Sequence, residues 1–130
     1  MVIDTSALVA ILMNERTSER LVVAIGQAPQ RLISAGTIVE ASLVVLGRFG
    51  ASGEAHLDAL LRAIGAEVVA VDAEQVALAR DAARTFGRGR HPAGLNFGDC
   101  FSYALSVSRE EPLLFVGDDF ATTDVRVAEW

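Results

Sequence analysis

The chain of 130 residues is 52% hydrophobic and 22% charged, which fits a single folded domain over residues 1–130 and excludes a disordered or fibrous protein. Its formal net charge of −6 argues against broad adhesion to nucleic acid, so local groups of basic residues must decide what it binds. The single cysteine, Cys100, and the lack of a membrane-length apolar run at the N-terminus predict a soluble, cytoplasmic protein without disulfides.

All eleven residues of the Lys and Arg type are arginines, so the chain contains no lysine. This excludes, in their usual form, sites that depend on a lysine amine: P-loop nucleotide sites, Schiff-base enzymes, and receivers or phosphatases that work through a phosphoaspartate. A phosphatase or a receiver is therefore the function that this sequence favours least.

The first half of the chain alternates short β-branched runs with helical patterns. Val2 and Ile3 predict a strand that ends at Asp4, after which apolar residues recur at helical spacing. The helix predicted at residues 37–49 is apolar nearly all round, so we expect it at the centre of the molecule. In chain order, the predicted elements are a strand at 2–3, helices at 7–12 and 18–25, a strand at 31–34, and helices at 37–49 and 57–64.

The second half continues the alternation around a long loop. Asp72 is predicted to cap a helix that runs to Phe86, with Val76, Ala79, Ala83 and Phe86 facing inward. After the loop at 87–98, Asn96 is predicted to cap a helix that runs to about Ser108 and turns Phe97, Phe101, Ala104 and Leu105 inward. The remaining predicted elements are strands at 67–71 and 113–116, and an edge strand at 125–128.

Strands that alternate with helices predict an α/β fold of three layers, α/β/α, with a mostly parallel central sheet. In such a sheet the carboxyl ends of the strands and the amino ends of the following helices share one edge. Ligand sites lie beyond that edge, so we expect any functional residues there.

Five acidic residues are predicted to lie at this edge. Asp4 follows the first strand, Glu40 lies in the first turn of its predicted helix, Asp99 lies near a helix start, and Asp118 and Asp119 follow the strand at 113–116. Two carboxylates about 4 Å apart repel by roughly 4 kcal/mol at an effective dielectric of 20, so such a cluster must hold protons or a cation. Because the available ligands are carboxylate oxygens, Mg²⁺ is the first choice of cation and Mn²⁺ the second.

Each of these acids also has a purely structural explanation. Asp4 could cap the first helix, Thr37-x-x-Glu40 is a capping-box pattern, and Asp99 could complement a helix dipole. Thr5 and Ser6 could be N-caps, or could hold a water molecule or a phosphate. The acids therefore also allow a non-catalytic metal-binding module that serves a protein partner.

The loop GRGRHPAGLNFG contains three basic residues, and a fourth lies shortly before it. Arg84, Arg88, Arg90 and His91 place three fixed positive charges and a titratable one within eight residues. Their arrangement suits contact with phosphates, and it equally suits a solvated loop. Cys100, which follows an acid, is predicted to be a small buried helix residue.

The chain resembles the PIN-domain ribonucleases and, within them, the VapC toxins of bacterial toxin–antitoxin pairs. The resemblance covers the whole chain and rests on MVIDTSALVAIL, on the helix of Glu40, on GRGRHPAGLNFGDCFSYALS and on PLLFVGDDFATTDV. It implies a metal-dependent endoribonuclease that hydrolyses RNA with an activated water, is silenced by a VapB-type antitoxin and commonly forms a homodimer.

The resemblance also carries over individual site residues. Asp4, Glu40 and Asp99 match the three best-defined metal-binding acids of the family, and Ser6 matches a polar position beside the metal. For the fourth acid, the Asp-Phe ending of the family points first to Asp119. Asp118 ranks second and Asp124 third. Contact with RNA is left to basic residues, chiefly those of the loop.

Overall fold

The computed structural model describes residues 1–130, and its four strands form one parallel sheet. The strands are β1 (Val2–Ile3), β2 (Leu32–Ser34), β3 (Glu67–Val69) and β4 (Leu113–Leu114), and they lie in the order β3-β2-β1-β4. Val2 pairs with Leu32 on one side and with Leu113 on the other, which places β1 inside the sheet. The predicted parallel α/β sheet is confirmed.

Six helices connect and flank these strands, and none of them has the length and apolar character needed to cross a membrane. α3 and α4 are joined by Gly50 alone, whose φ of 65° is open mainly to glycine. The helices are α1 (Thr5–Leu12), α2 (Ser18–Gln27), α3 (Ala35–Phe49), α4 (Ala51–Ile64), α5 (Ala73–Phe86) and α6 (Asp99–Arg109).

Successive side chains of each strand enter different cores, which produces the three layers. Val2 and Leu113 pack with residues of α5 and α6, whereas Ile3 and Leu114 pack with residues of α1 to α4. Because side chains alternate along a strand, the two-residue strand β1 contributes one side chain to each core. The sheet is thus covered on both faces, as the α/β/α prediction requires.

Three of the four strands are shorter than predicted, β1 has the predicted bounds, and the expected edge strand does not form. Residues 125–128 contribute only an isolated bridge between Val127 and Leu113, with the Leu113 N–H donating to Arg126 O and the Ala128 N–H donating to Leu113 O. The physical reason is that β4 is only two residues long, so it offers no ladder for a longer neighbour.

The prediction that the helix of Glu40 is central is wrong. Along α3 the apolar side chains of Val39, Leu43, Leu46 and Phe49 are 44–66% exposed. α3 contacts α1, α4, α6 and β2 with one side only, and this leaves a second apolar side unpacked in the monomer. An all-round apolar pattern therefore reflects two apolar faces, of which the fold covers one.

Other predicted helix starts are also wrong: α4 begins at Ala51 instead of 57, and the corrections to α3 and α6 change where acidic residues lie in their helices. Ser34 caps α3 by accepting from the Gly36 N–H, so Glu40 lies in the second turn and the Thr37-x-x-Glu40 box does not form. α6 begins at Asp99, later than predicted, although Asn96 does cap the segment that leads into it, since its Oδ1 accepts from the Asp99 N–H at 3.0 Å. Consequently Phe97, predicted to face inward, is 82% exposed.

The inward face of α5 is rotated from the predicted one. Asp72 does cap this helix through the Gln75 N–H, as predicted. Ala79 and Phe86 are half-buried against the core, as predicted, whereas Val76 and Ala83 are exposed and the buried residues are Gln75 and Ala82. Packing against α6 selects the neighbouring stripe, because Ala82 lets the two helices approach closely.

Candidate active site

A cleft of about 350 Å³ lies beyond the carboxyl ends of the strands and collects acidic residues from distant parts of the chain. Asp4 follows β1, Glu40 belongs to α3, Asp99 begins α6, and Asp119 follows β4. The structure therefore brings these four side chains to one cleft, at the edge that the fold class predicts. The cleft is also lined by Thr5, Ser6, Glu15, Arg48, Asn96 and Val116.

Asp4 is both the N-cap of α1 and the most firmly held acid of the cleft. Its Oδ2 accepts from the Ser6 N–H at 2.9 Å and from the Ser6 hydroxyl at 2.6 Å. Its Oδ1 accepts from the Ser102 hydroxyl at 2.6 Å. The capping explanation and the site explanation thus hold together for this residue, because its carboxylate is anchored from α1 and from α6.

The first two residues of α1 orient the acids rather than cap the helix. Ser6 Oγ donates to Asp4 and accepts from the Val116 N–H at 3.0 Å, which ties the end of β4 to Asp4. Thr5 Oγ1 donates to Glu40 Oε2 at 2.6 Å. Both hydroxyls therefore act as positioning groups, and Asp4, not Thr5 or Ser6, is the N-cap.

Gly98 is a site residue that the sequence analysis missed. A Cβ added at this position would lie 1.8 Å from both Cδ and Oε1 of Glu40, so any other residue here would displace the Glu40 carboxylate from its position in the cleft. Its signal in the sequence is the glycine directly before a helix-starting acid.

The pKa of Glu40 is raised above its ordinary value. Burial raises it, the hydrogen bond from Thr5 lowers it, and the charge of Asp4 raises it further.

Asp99 is held by a reciprocal pair of hydrogen bonds. Its Oδ2 accepts from the Asn96 N–H at 2.7 Å, and its own N–H donates to Asn96 Oδ1 at 3.0 Å. The pKa of Asp99 is raised to about 6, chiefly by burial, and the hydrogen bond from the Asn96 N–H acts in the opposite direction. The charges of Asp4, Asp119 and Glu40 raise it further, which shows that the four acids repel one another through the cleft.

Of the three candidates for the fourth acid, only Asp119 reaches the cleft. Asp118 and Asp119 are both exposed, but Asp118 does not line the cleft. Asp124 instead accepts from the Tyr103 hydroxyl at 2.7 Å and lines a separate depression with Ser106 and Glu110. The tertiary structure thus separates three aspartates that the sequence left as alternatives.

The donor set of the cleft suits a hard divalent cation. Its carboxylate oxygens are the ligands that Mg²⁺ and Mn²⁺ prefer, and their mutual repulsion favours a positive charge between them. In the conformation described, Asp4, Glu40 and Asp99 are held by their own hydrogen-bond partners, and no three of the chain's acids, histidines or cysteine form a ready-made metal group. A cation would have to draw the carboxylates together.

None of the four predicted phosphate contacts lines this cleft. Arg84 forms a surface salt bridge with Asp81, and His91 Nδ1 accepts from the Ala93 N–H at 3.1 Å while its ring packs edge-on against Phe86. Arg88 and Arg90 are exposed.

The basic residue that does line the cleft is Arg48, which donates to Met13 Sδ at 3.0 Å. Its position was readable from the sequence, since residues 40, 44 and 48 follow one another at helical spacing on α3. Cys100 is buried, as predicted, and burial raises the pKa of its thiol.

A comparison with protein families matches residues 1–126 to the model described as PIN domain. Among curated proteins, ribonuclease VapC30 of Mycobacterium tuberculosis is 50% identical over 125 residues, which are 96% of this chain and 95% of the relative.

Solved structures of low identity share the fold. VapC20 of Mycobacterium tuberculosis, described as a Sarcin-Ricin loop cleaving toxin, has a TM-score of 0.77 at 17% identity and covers 95% of each chain. VapBC2 from Rickettsia felis, solved bound to a DNA fragment from its promoter, has a TM-score of 0.75 at 13% identity, covering 99% of this chain and 97% of the other.

Proposed function

Since the chain belongs to the PIN-domain family and, within it, to the VapC ribonucleases, we propose that it is a metal-dependent endoribonuclease and the toxin of a toxin–antitoxin pair. The observation that carries the proposal is the cleft in which Asp4, Glu40, Asp99 and Asp119 lie together. These four residues come from four separate segments, so ordinary helix capping does not account for their convergence.

The residues that would hold Mg²⁺, or Mn²⁺, are Asp4, Glu40, Asp99 and Asp119. When bound there, the cation supplies Lewis-acid chemistry that orients the scissile phosphate and activates a water molecule. The chain contributes the alignment: Ser6 and Ser102 hold Asp4, Thr5 holds Glu40, and Asn96 holds Asp99. Ser6 is therefore proposed as a positioning residue.

Contact with the polyanionic RNA falls to arginines in a chain whose net charge is −6. Arg48 is placed to meet the phosphates nearest the cleft. Arg84, Arg88, Arg90 and His91 are proposed to contact phosphates farther along the strand. The salt bridge of Arg84 is exposed and therefore weak, so its charge remains available.

Two partners are proposed from the family and from the exposed apolar side of α3. A VapB-type antitoxin is proposed because the Rickettsia felis relative is a VapBC assembly, and a second copy of the chain is proposed to form a homodimer. Val39, Leu43, Leu46 and Phe49 offer the apolar area that such contacts bury. Light scattering of the protein alone and with the neighbouring gene's product tests both, and a monomer in each case contradicts them.

The activity is tested by incubating the purified protein with structured RNA in Mg²⁺ or in EDTA. We expect cleavage only with Mg²⁺, with 5′-phosphate and 3′-hydroxyl ends. Asp99→Asn and Asp119→Asn should each lose about a hundred-fold or more in rate, since both remove a charge that orients the cation. Asp118→Asn is the matched control and should cleave normally.

Cleavage that continues in EDTA, or an unchanged cleavage rate in Asp99→Asn, would contradict the proposal. If calorimetry finds metal binding but no RNA is turned over, the chain is instead a metal-binding interaction module.

A further inference from the structure

A second pocket adjoins the acidic cleft and is almost entirely apolar. It has a volume of about 500 Å³, within the range of sites for small molecules, and lies between α5 and the segment that leads into α6. Asn96 lines both this pocket and the acidic cleft, so the two share a wall. The apolar lining comes chiefly from Val76, Ala79, Leu95, Phe97, Cys100 and Phe101.

Phe97 stands at the mouth of this pocket with most of its ring in water. Its ring lies perpendicular to that of Phe101, with 5.0 Å between centroids, and its 82% exposure leaves ring surface available to a ligand. The backbone on either side is fixed, because Asn96 and Asp99 bond to each other and Gly98 lies against Glu40. An apolar ring is thus held two residues from an acid of the cleft.

Two arginines flank the same pocket. Arg80 and Arg88 are exposed, and neither forms a salt bridge; the chain's only ion pairs join Met1 to Glu111 and Arg84 to Asp81. In a chain of net charge −6, two free guanidinium groups beside an apolar pocket mark a site for a ligand that is flat and apolar in one part and anionic in another.

We propose that this pocket, here called the base pocket, binds an unpaired nucleobase of the RNA next to the cleaved phosphate, with Phe97 as its stacking surface and Arg80 and Arg88 as contacts to neighbouring phosphates. The inference rests on the proposed ribonuclease function. An aromatic face accepts any base, and arginines suit the phosphate oxygens. A purely apolar peptide segment would leave both guanidinium groups without a partner, so the charges favour a nucleotide.

The test measures binding of a fluorescent single-stranded RNA oligonucleotide to the full-length protein in EDTA, where no cleavage is expected. Loss of a base–aromatic stack in Phe97→Ala should raise Kd about ten-fold, whereas Phe97→Trp should keep wild-type affinity. Val22→Ala is the matched control, since Val22 is also apolar and exposed but lies on α2, outside the base pocket and the acidic cleft. It should bind as the wild type does.

A series of oligonucleotides with one abasic position each locates the stacked base. The wild type should lose affinity at one position, and Phe97→Ala should be insensitive at that same position, because the two changes remove one contact. Arg88→Gln should lower the slope of log Kd against log salt by about one. Arg62→Gln removes an exposed charge from α4, outside the base pocket, and should leave this slope unchanged.

Failure of this inference is distinguishable from failure of the proposed function. If Phe97→Ala binds and cleaves RNA like the wild type, or weakens only the binding of an antitoxin, the base pocket is wrong and the nuclease stands. If the wild type binds the oligonucleotide through Phe97 but cleaves no RNA in Mg²⁺, the base pocket stands and the nuclease is wrong. If the wild type binds no oligonucleotide, the base pocket is wrong.

Discussion

At the scale of single residues, the charged carboxylate of Asp99 lowers the stability of the metal-free protein. The folded state raises the pKa of Asp99 from 3.8 to about 6, so it favours the protonated carboxyl. Stability is therefore greatest below the unfolded pKa and falls as the pH rises from 3.8 to about 6, after which the loss is constant. At neutral pH the charged Asp99 carboxylate therefore destabilises the folded protein, which indicates that its role is not to stabilise the fold.

Asp99→Asn should therefore stabilise the protein in EDTA. Asparagine can still accept from the Asn96 N–H, but it carries no charge to bury or to repel its neighbours. We expect a gain on the order of 1–3 kcal/mol in urea unfolding at about pH 7.5, shrinking at about pH 5 where the wild-type carboxyl takes up a proton. An equal effect at both pH values would show that charge is not the cause.

At the scale of elements, two glycines of the helical hairpin formed by α3 and α4 have different roles. The packing of the two helices requires Gly53 but does not require Gly47. A Cβ on Gly53 would lie 2.7 Å from Val45 O and 2.8 Å from Phe49 Cβ, so this glycine sets the distance between the two helices. Gly47 lies within α3 and has nothing within 4 Å of its Cβ position. There is therefore no space for a side chain at Gly53, whereas there is space for one at Gly47.

Alanine at these two positions should change stability in opposite directions. Gly47→Ala should stabilise by about 0.5–1 kcal/mol, because alanine restricts the unfolded chain and favours the helix. Gly53→Ala should destabilise by about 1–3 kcal/mol, since the backbone of α3 must move to admit the methyl group and the loss exceeds the gain in propensity. Chemical denaturation of both variants measures this, and stabilisation by Gly53→Ala would show that the hairpin can open freely.

At the scale of the whole molecule, the negative charge is concentrated where the parallel strands end. Four acids from the carboxyl edge of the sheet share one cleft, so the fold itself creates a region of negative potential. A divalent cation that binds there binds only the folded chain. It should therefore stabilise the protein as a whole.

Mg²⁺ at about a hundred times its Kd should stabilise the wild type by roughly 2.7 kcal/mol, seen as a Tm several degrees higher than in EDTA. Glu40→Gln keeps an acceptor for Thr5 but removes a charge, so most of this shift should be lost. Glu74→Gln, on the exposed side of α5, should keep the full shift. An identical Mg²⁺ response in all three proteins would mean that the cation acts elsewhere.

The local pattern of the sequence was enough to place most elements and the edge at which the acids lie. β-branched runs and helical spacing predicted the strands and helices, and the order of the elements predicted a parallel sheet, because each strand is separated from the next by a helix. Asp4 and Asp99 could be placed at that edge because each directly adjoins an element end. Element ends shifted by a few residues, as at Ser34 and Asp99, since capping contacts depend on neighbouring backbone.

Only the tertiary structure decided which residues face each other across the molecule. Asp118 and Asp119 have the same chemistry and are both exposed, but the turn after β4 places only Asp119 at the cleft. Apolar spacing could not tell that Phe97 is exposed or that α3 is covered on one side, because spacing defines a face and not its neighbour. Periodicity is a property of one helix, whereas burial and the grouping of charges depend on distances between segments that are far apart in the chain.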